Sequence, residues 1–386
     1  MNGYIMKKKL LIIFSLIISG CTGITITQKI VPGSDDWNMA GGNPEQQNIS
    51  KSVLAPPLNL WWSYDMDGGV GFSGISVSDA IVFVNAQQGE LFSFDVSTGN
   101  KLGRATFLGK DASSTPLIKG NDIIISFAGD NDYSLASYNL EKADINWRIN
   151  LGELQTSPVM KNNFIYVGSL NGLEYKVDAS TDSVYWKFDA KSQIHSTCCI
   201  WEDKVIFGSD NGMIYCINSS DGKLFWKFQT GASVTAAPLA NDYKVYVGSY
   251  DSNYYCINIS DGSLEWKKDM KTKIISGSCL FNNSIVFGGV DENLYSLTSL
   301  GGQLNWKFAT KGVISSSPLK SGSYIYFTSF DFHVYCANGE TGSEVWNYEL
   351  EGKSKTSPVI WKDYLFVIGD IDIYCFSNKP VPVNNK

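Results

Sequence analysis

The chain has 386 residues, of which 18% are charged and 13% aromatic, with a formal net charge of −7. Sparse charge and abundant aromatics suit an all-β protein, and an acidic balance argues against nucleic acid as a partner. A chain of this length stays compact either by splitting into domains or by stacking repeats that bury their faces against one another.

The N-terminus reads as an export signal. Met6-Lys7-Lys8-Lys9 is a positive stretch, and Leu10 to Ile18 is apolar. That run is too short to span a bilayer as a helix and fits a secretory signal. It ends in Ile18-Ser19-Gly20-Cys21, which resembles a bacterial lipobox. The resemblance implies cleavage before Cys21 and a diacylglycerol thioether on its sulfur; the alternative is an ordinary signal peptide with an incidental cysteine. Two or three acyl chains would anchor the protein stably. Losing residues 1–20 removes three lysines and no acid, leaving 28 basic against 38 acidic residues.

Residues 21–57 show no sustained period and end in Pro56-Pro57, which predicts a tether and an entry segment lying on the body. From residue 58 to 378 the chain is repetitive. Trp147, Trp186, Trp226, Trp266, Trp306 and Trp346 are separated by 39, 40, 40, 40 and 40 residues. A period near forty is that of a four-stranded propeller blade. Each unit reads as four strands: in the fifth, Lys244 to Ser249 alternates with period two, Tyr250-Asp251-Ser252 makes a hairpin tip, and Ser260-Asp261-Gly262 turns into the strand bearing Trp266. The tips of units three and four, Asn171-Gly172 and Asn211-Gly212, supply the positive φ that tight hairpins need. The eighth unit lacks an outer strand. Leu58 to Tyr64, ahead of unit one, is the expected replacement, closing an eight-bladed all-β ring without a free edge. Residues 379–386 read as a tail.

The segments FDVSTGNKLG, VDASTDSVYW, INSSDGKLFW, INISDGSLEW and ANGETGSEVW resemble the docking motifs of pyrroloquinoline-quinone-type (PQQ-like) propellers. The resemblance covers nearly all of the mature chain, and implies that the six tryptophans pack between blades. Asp36 to Pro44 also resembles a leader seen in such repeat proteins. Three units depart from the pattern: Gly103 stands where unit one lacks its tryptophan, and Glu141-Lys142-Ala143 and Leu300-Gly301-Gly302 replace the usual turn. With the lipobox and mature length, the chain resembles the BamB-like propeller subunits of the outer-membrane β-barrel assembly machinery. That implies a place on the periplasmic side of the outer membrane, contact with the central barrel protein, and help in folding outer-membrane proteins.

Chemistry-bearing motifs are scarce. Cys216, Cys256, Cys336 and Cys375 share one repeat slot, which predicts small buried apolar residues rather than disulfides. Cys198-Cys199 resembles the vicinal pair of some quinoprotein dehydrogenases, the enzyme alternative. However, Cys198 fills a slot held by Pro158, Pro238, Pro318 and Pro358 in sister units. The only histidines, His195 and His333, occupy different repeat slots, and Asp130-Asn131-Asp132 lacks the rest of a calcium loop. No catalytic residue, cofactor or metal is expected. The innermost strands open with small residues such as Thr235-Ala236-Ala237 and Ser315-Ser316-Ser317, a packing requirement at a crowded axis; a propeller that binds another envelope ligand in its channel is a further alternative. The hairpin tips carry Leu170, Tyr250, Val290, Phe330 and Phe332 with Asp210, Asp251, Asp291, Glu292 and Asp331, and the loops beside them carry lysines. Aromatics amid mixed charge resemble an interaction face, with Tyr250, Phe330 and Phe332 as candidate partner-binding residues; the opposing reading folds them onto neighbouring loops.

Overall fold

The computed structural model describes residues 23–71, 74–107, 111–112, 114–129 and 132–380; Cys21, Asp130 and Asn131 lie outside these. Its strands form eight four-stranded antiparallel sheets, each a blade of one propeller. Blade four is representative: Cys199–Trp201, Lys204–Gly208, Met213–Asn218 and Leu224–Gln229, from the axis outward. The middle strands are buried almost throughout, because neighbouring blades cover both of their faces. The outer strand alternates between buried and exposed, since one edge and part of one face meet water.

One contact recurs between blades. The indole N–H groups of Trp147, Trp186, Trp226, Trp266 and Trp306 donate to the carbonyls of Ala179, Ser219, Ile259, Ser299 and Gly339 at 2.8–3.2 Å, each 32 or 33 residues on, in the next blade. The ring lies on a turn glycine of that blade. A Cβ added at Gly222, Gly262, Gly302 or Gly342 would stand 2.6–2.9 Å from the docked ring, and each glycine has positive φ. Glycine therefore serves the turn and the close approach together. Asp182 takes the corresponding turn position under Trp147, at φ 56°. Trp346 differs: it meets Phe376 of blade eight edge-on at 5.5 Å.

The ring closes through the N-terminal strand. Asn59–Asp65 pairs antiparallel with Asp372–Ser377, with a bulge between Leu60 and Trp62. Trp62 then docks on blade one, donating to the Val96 carbonyl at 2.8 Å and covering Gly99. It also packs 6.0 Å from both Phe94 of blade one and Phe366 of blade eight.

The entry segment is a plug. Trp37 exchanges hydrogen bonds with Val77, and the carbonyls of Asn38, Pro44, Glu45, Gln47 and Asn48 accept from Ile118, Ile200, Ala240, Leu280 and Lys320. Those acceptors run across the innermost strands of blades two, four, five, six and seven. Asp36 accepts from the Trp361 indole of blade eight at 2.9 Å. The segment thus ties together the floor of the ring on the face away from the hairpin tips, and closes one mouth of the central channel.

Trp62→Ala removes the ring-closing dock and should cost about 3 kcal/mol of stability, a large-to-small loss at a blade interface. Deleting residues 58–64 should abolish cooperative melting, because it exposes a strand edge in blade eight. A melt with unchanged midpoint and cooperativity in either variant would contradict this closure.

Candidate functional site

The open mouth of the channel lies on the face built from hairpin tips and inter-blade loops. Each tip is bonded to the preceding loop: the backbone N–H groups of Leu170, Asp210, Tyr250, Val290 and Phe330 donate to Glu153, Gln193, Ser233, Lys273 and Val313. Tip aspartates reinforce the joint. Asp251 accepts from the Gly231 amide and the Tyr255 hydroxyl, both at 2.6 Å. Asp331 does the same with Lys311 and Tyr335 at 2.9 and 2.8 Å. These carboxylates point into the loop joints, so much of the tip acidity is used internally.

The five apolar tip residues divide. Tyr250 and Phe332 are 36% and 41% exposed, whereas Leu170, Val290 and Phe330 are half-buried against their loops. Lys273 stands over the Tyr250 ring at 5.5 Å, a cation–π contact. Phe332 has φ 70°. In sister blades the same position is Gly172 or Gly212, with φ 80° and 79°, or Ser252 or Glu292, both with φ 69°. The left-handed region costs a bulky side chain roughly 1 kcal/mol or more. An exposed phenylalanine is held where glycine would be easier.

Inside the mouth the channel forms a blind cup. A cavity of about 200 Å3 runs from Trp37, Gln46 and Asn48 of the plug up to Gln155, His195 and Lys355. It adjoins a second cavity of about 410 Å3 bordered by His195, Asp210, Thr235 and Tyr250. His195 Nε2 lies 3.4 Å from Asp210, and the Ser233 hydroxyl also donates to that carboxylate. His333 makes a separate contact, 2.8 Å from Nδ1 to the Asp331 carbonyl. Each histidine thus meets a tip aspartate, a pairing invisible in the spacing, and the two do so in different blades. Among the described residues, no group of three or more His, Cys, Asp or Glu could hold a metal ion. The seven described cysteines are buried and unpaired, and burial pushes the Cys198 and Cys199 thiols well up.

The architecture is that of an eight-bladed propeller with a plugged axis. The family described as outer membrane protein assembly factor BamB matches residues 47–161, 175–307 and 290–378, and the chain belongs to it. No curated protein matches the chain in sequence. Among solved structures, BamB from Moraxella catarrhalis is 12% identical with a TM-score of 0.69, covering 83% of this chain and 100% of that one. The computationally designed Ika8 protein is 14% identical with a TM-score of 0.71, covering 81% and 98%. The quinohemoprotein alcohol dehydrogenase of Comamonas testosteroni is 11% identical with a TM-score of 0.76, covering 92% and 82%. At such identities these likenesses describe a shared fold; fold alone does not assign chemistry.

One buried acid escaped the sequence reading. Glu174 is fully buried between blades three and four, where the aligned residues are Ile214, Tyr254, Leu294 and Val334. Neither carboxylate oxygen has a nitrogen or oxygen partner. Burial pushes its carboxyl up from 4.5 to about 8, with the Cys198 thiol pulling partly back. Comparing the aligned slots would have exposed it as the one charged member.

Between those two values the folded chain keeps a proton that the unfolded chain releases. Stability should therefore fall as pH rises from about 4.5 to about 8, and level off above that. Glu174→Leu, which copies Leu294, should remove this slope and raise the melting temperature most at pH 8. The gain there should be on the order of a few kcal/mol. An unchanged pH slope in the variant would refute the assignment.

Proposed function

We propose that this protein is a lipid-anchored scaffold of the bacterial envelope that holds protein partners during assembly of outer-membrane β-barrel proteins. The central barrel-assembly protein is the expected partner, and the periplasmic face of the outer membrane the expected site. Membership of the BamB family supports the class of function, and the Ile18-Ser19-Gly20-Cys21 sequence supports the anchor. The observation that carries the choice of face is Phe332, a bulky apolar side chain 41% exposed at φ 70° in a slot that sister blades fill with Gly172, Gly212, Ser252 and Glu292, none of them apolar and bulky. The turn sets this φ in every one of those blades, so what is particular to Phe332 is an exposed aromatic ring at the tip, the kind of side chain that anchors a protein interface. Tyr250 with Lys273, and the half-buried Phe330, extend the same surface around the mouth.

Phe332→Gly is the sharp test. It removes the strain, so the melting temperature should hold or rise, while partner capture from solubilised envelopes falls. Truncating a central interface aromatic typically costs about 2 kcal/mol, more than tenfold in affinity. Phe330→Ala combined with Phe332→Ala should weaken capture at least as much. Undiminished capture by folded variants would move the binding surface to another face. Separately, Cys21→Ser should abolish palmitate labelling; continued labelling would refute the anchor.

A further inference from the structure

Blade one is the blade without a docking tryptophan in its repeat slot, and blade two is the neighbour without the usual turn. The structure accounts for both with one feature. The N-terminal segment lies in the vacant slot: a Cβ on Gly103 would stand 3.0 Å from the Ile24 Cα and 3.1 Å from the Gly23 carbonyl. Tyr138 of blade two clamps the segment, its hydroxyl accepting from the Ile24 amide at 2.9 Å and donating to the Ile24 carbonyl at 3.2 Å. The Ile26 amide donates to the Leu140 carbonyl, and the Ile30 amide to Asn121. Ile24, Ile26 and Ile30 are buried in a cluster with Phe83, Phe107 and Phe127. What the sequence presents as a tether is built into the wall.

Gly23 is two residues from Cys21. A chain spans at most ~3.6 Å per residue, so the connection from Gly23 to the Cα of residue 21 can be no longer than ~7 Å. A lipid on Cys21 would leave the body little slack to swing away. The adjacent surface suits an interface with lipid headgroups. Both arginines of the chain, Arg104 and Arg148, lie on the outer strands of blades one and two, with Lys101 and Lys142 beside them. Arg104 pairs with Glu90 at 3.4 Å, and Arg148 lies 3.8 Å from Asp132 and over the Tyr133 ring at 5.1 Å, bordering a groove of about 400 Å3 lined by Phe107, Tyr138 and Asp144, so the patch mixes charges as zwitterionic headgroups do. Arginine and tyrosine together are typical of the membrane–water boundary.

We propose that the docked N-terminus fixes the propeller edge-on to the membrane, with the outer strands of blades one and two against the lipid headgroups. This rests on Cys21 being the lipid anchor. An edge-on ring presents its tip face sideways, toward a partner that projects from the same membrane, and keeps the plugged face clear of the bilayer.

The test uses the full lipidated protein in phosphatidylethanolamine–phosphatidylglycerol vesicles carrying a headgroup quencher. A fluorescent amino acid replaces exposed Lys142 on blade two or, in a second protein, exposed Lys268 on blade five across the ring. Emission should be largely lost at 142 and nearly unchanged at 268. In the Ile24→Gly, Ile26→Gly variant, which keeps Cys21, the contrast should disappear. Equal quenching at both positions in the intact protein would overturn the proposal. Protein that is missing from the vesicle fraction and carries no palmitate would overturn the anchor reading instead, and this proposal with it.

Discussion

The structure depends on one contact made repeatedly: an indole from one blade lying on a turn glycine of the next, with its N–H bonded to a carbonyl beside that turn. A four-stranded blade cannot cover its own faces, so it is stable only as a neighbour. The indole supplies a large apolar area and a directional hydrogen bond in one side chain. It sets both the distance and the rotation between blades. The ring can then close only if the last interface is made as well. That falls to Trp62, delivered from the start of the chain on a strand that completes blade eight.

The two ends of this logic explain the molecule's irregular parts. Where the contact is missing, between blades one and two, the N-terminus fills the space with isoleucines and backbone hydrogen bonds. Where the innermost strands converge, residues 36–48 cross the floor and satisfy strand-end amides that would otherwise face the channel. Among the described residues, closure of the floor leaves the tip face as the open approach to the axis. That face has short loops, aspartates used internally, and a few apolar side chains turned outward.

Much of this was legible in the residues themselves. The tryptophan period and turn glycines specified blade count and strand order, because each blade repeats the same packing problem. The missing outer strand of unit eight pointed to Leu58 to Tyr64 because a propeller tolerates no open edge. Departures from the repeat were visible but not their cause: Gly103 and Glu141-Lys142-Ala143 are far from Ile24 in sequence, and nothing local records that they share a cavity wall. The plug was hidden for a similar reason. Its contacts are backbone carbonyls, which any side chain could carry. At the tips, residue type suggested exposure for all five apolar residues, yet packing against the loops half-buries Leu170, Val290 and Phe330. The positive φ of Phe332 follows from its alignment with Gly172 and Gly212, a signal present in the sequence and weaker than the hydrophobic pattern around it.

The central functional claim is that the tip face, and not the plugged face, meets a protein partner. Photocrosslinking in intact envelopes tests it most directly, with a photoreactive amino acid at Phe332 on the tip face or at exposed Asn283 on the opposite face. The account predicts a discrete adduct from position 332, identified by mass spectrometry as a component of the barrel-assembly machinery, and none from position 283. An adduct with that partner from 283 and none from 332 would contradict it.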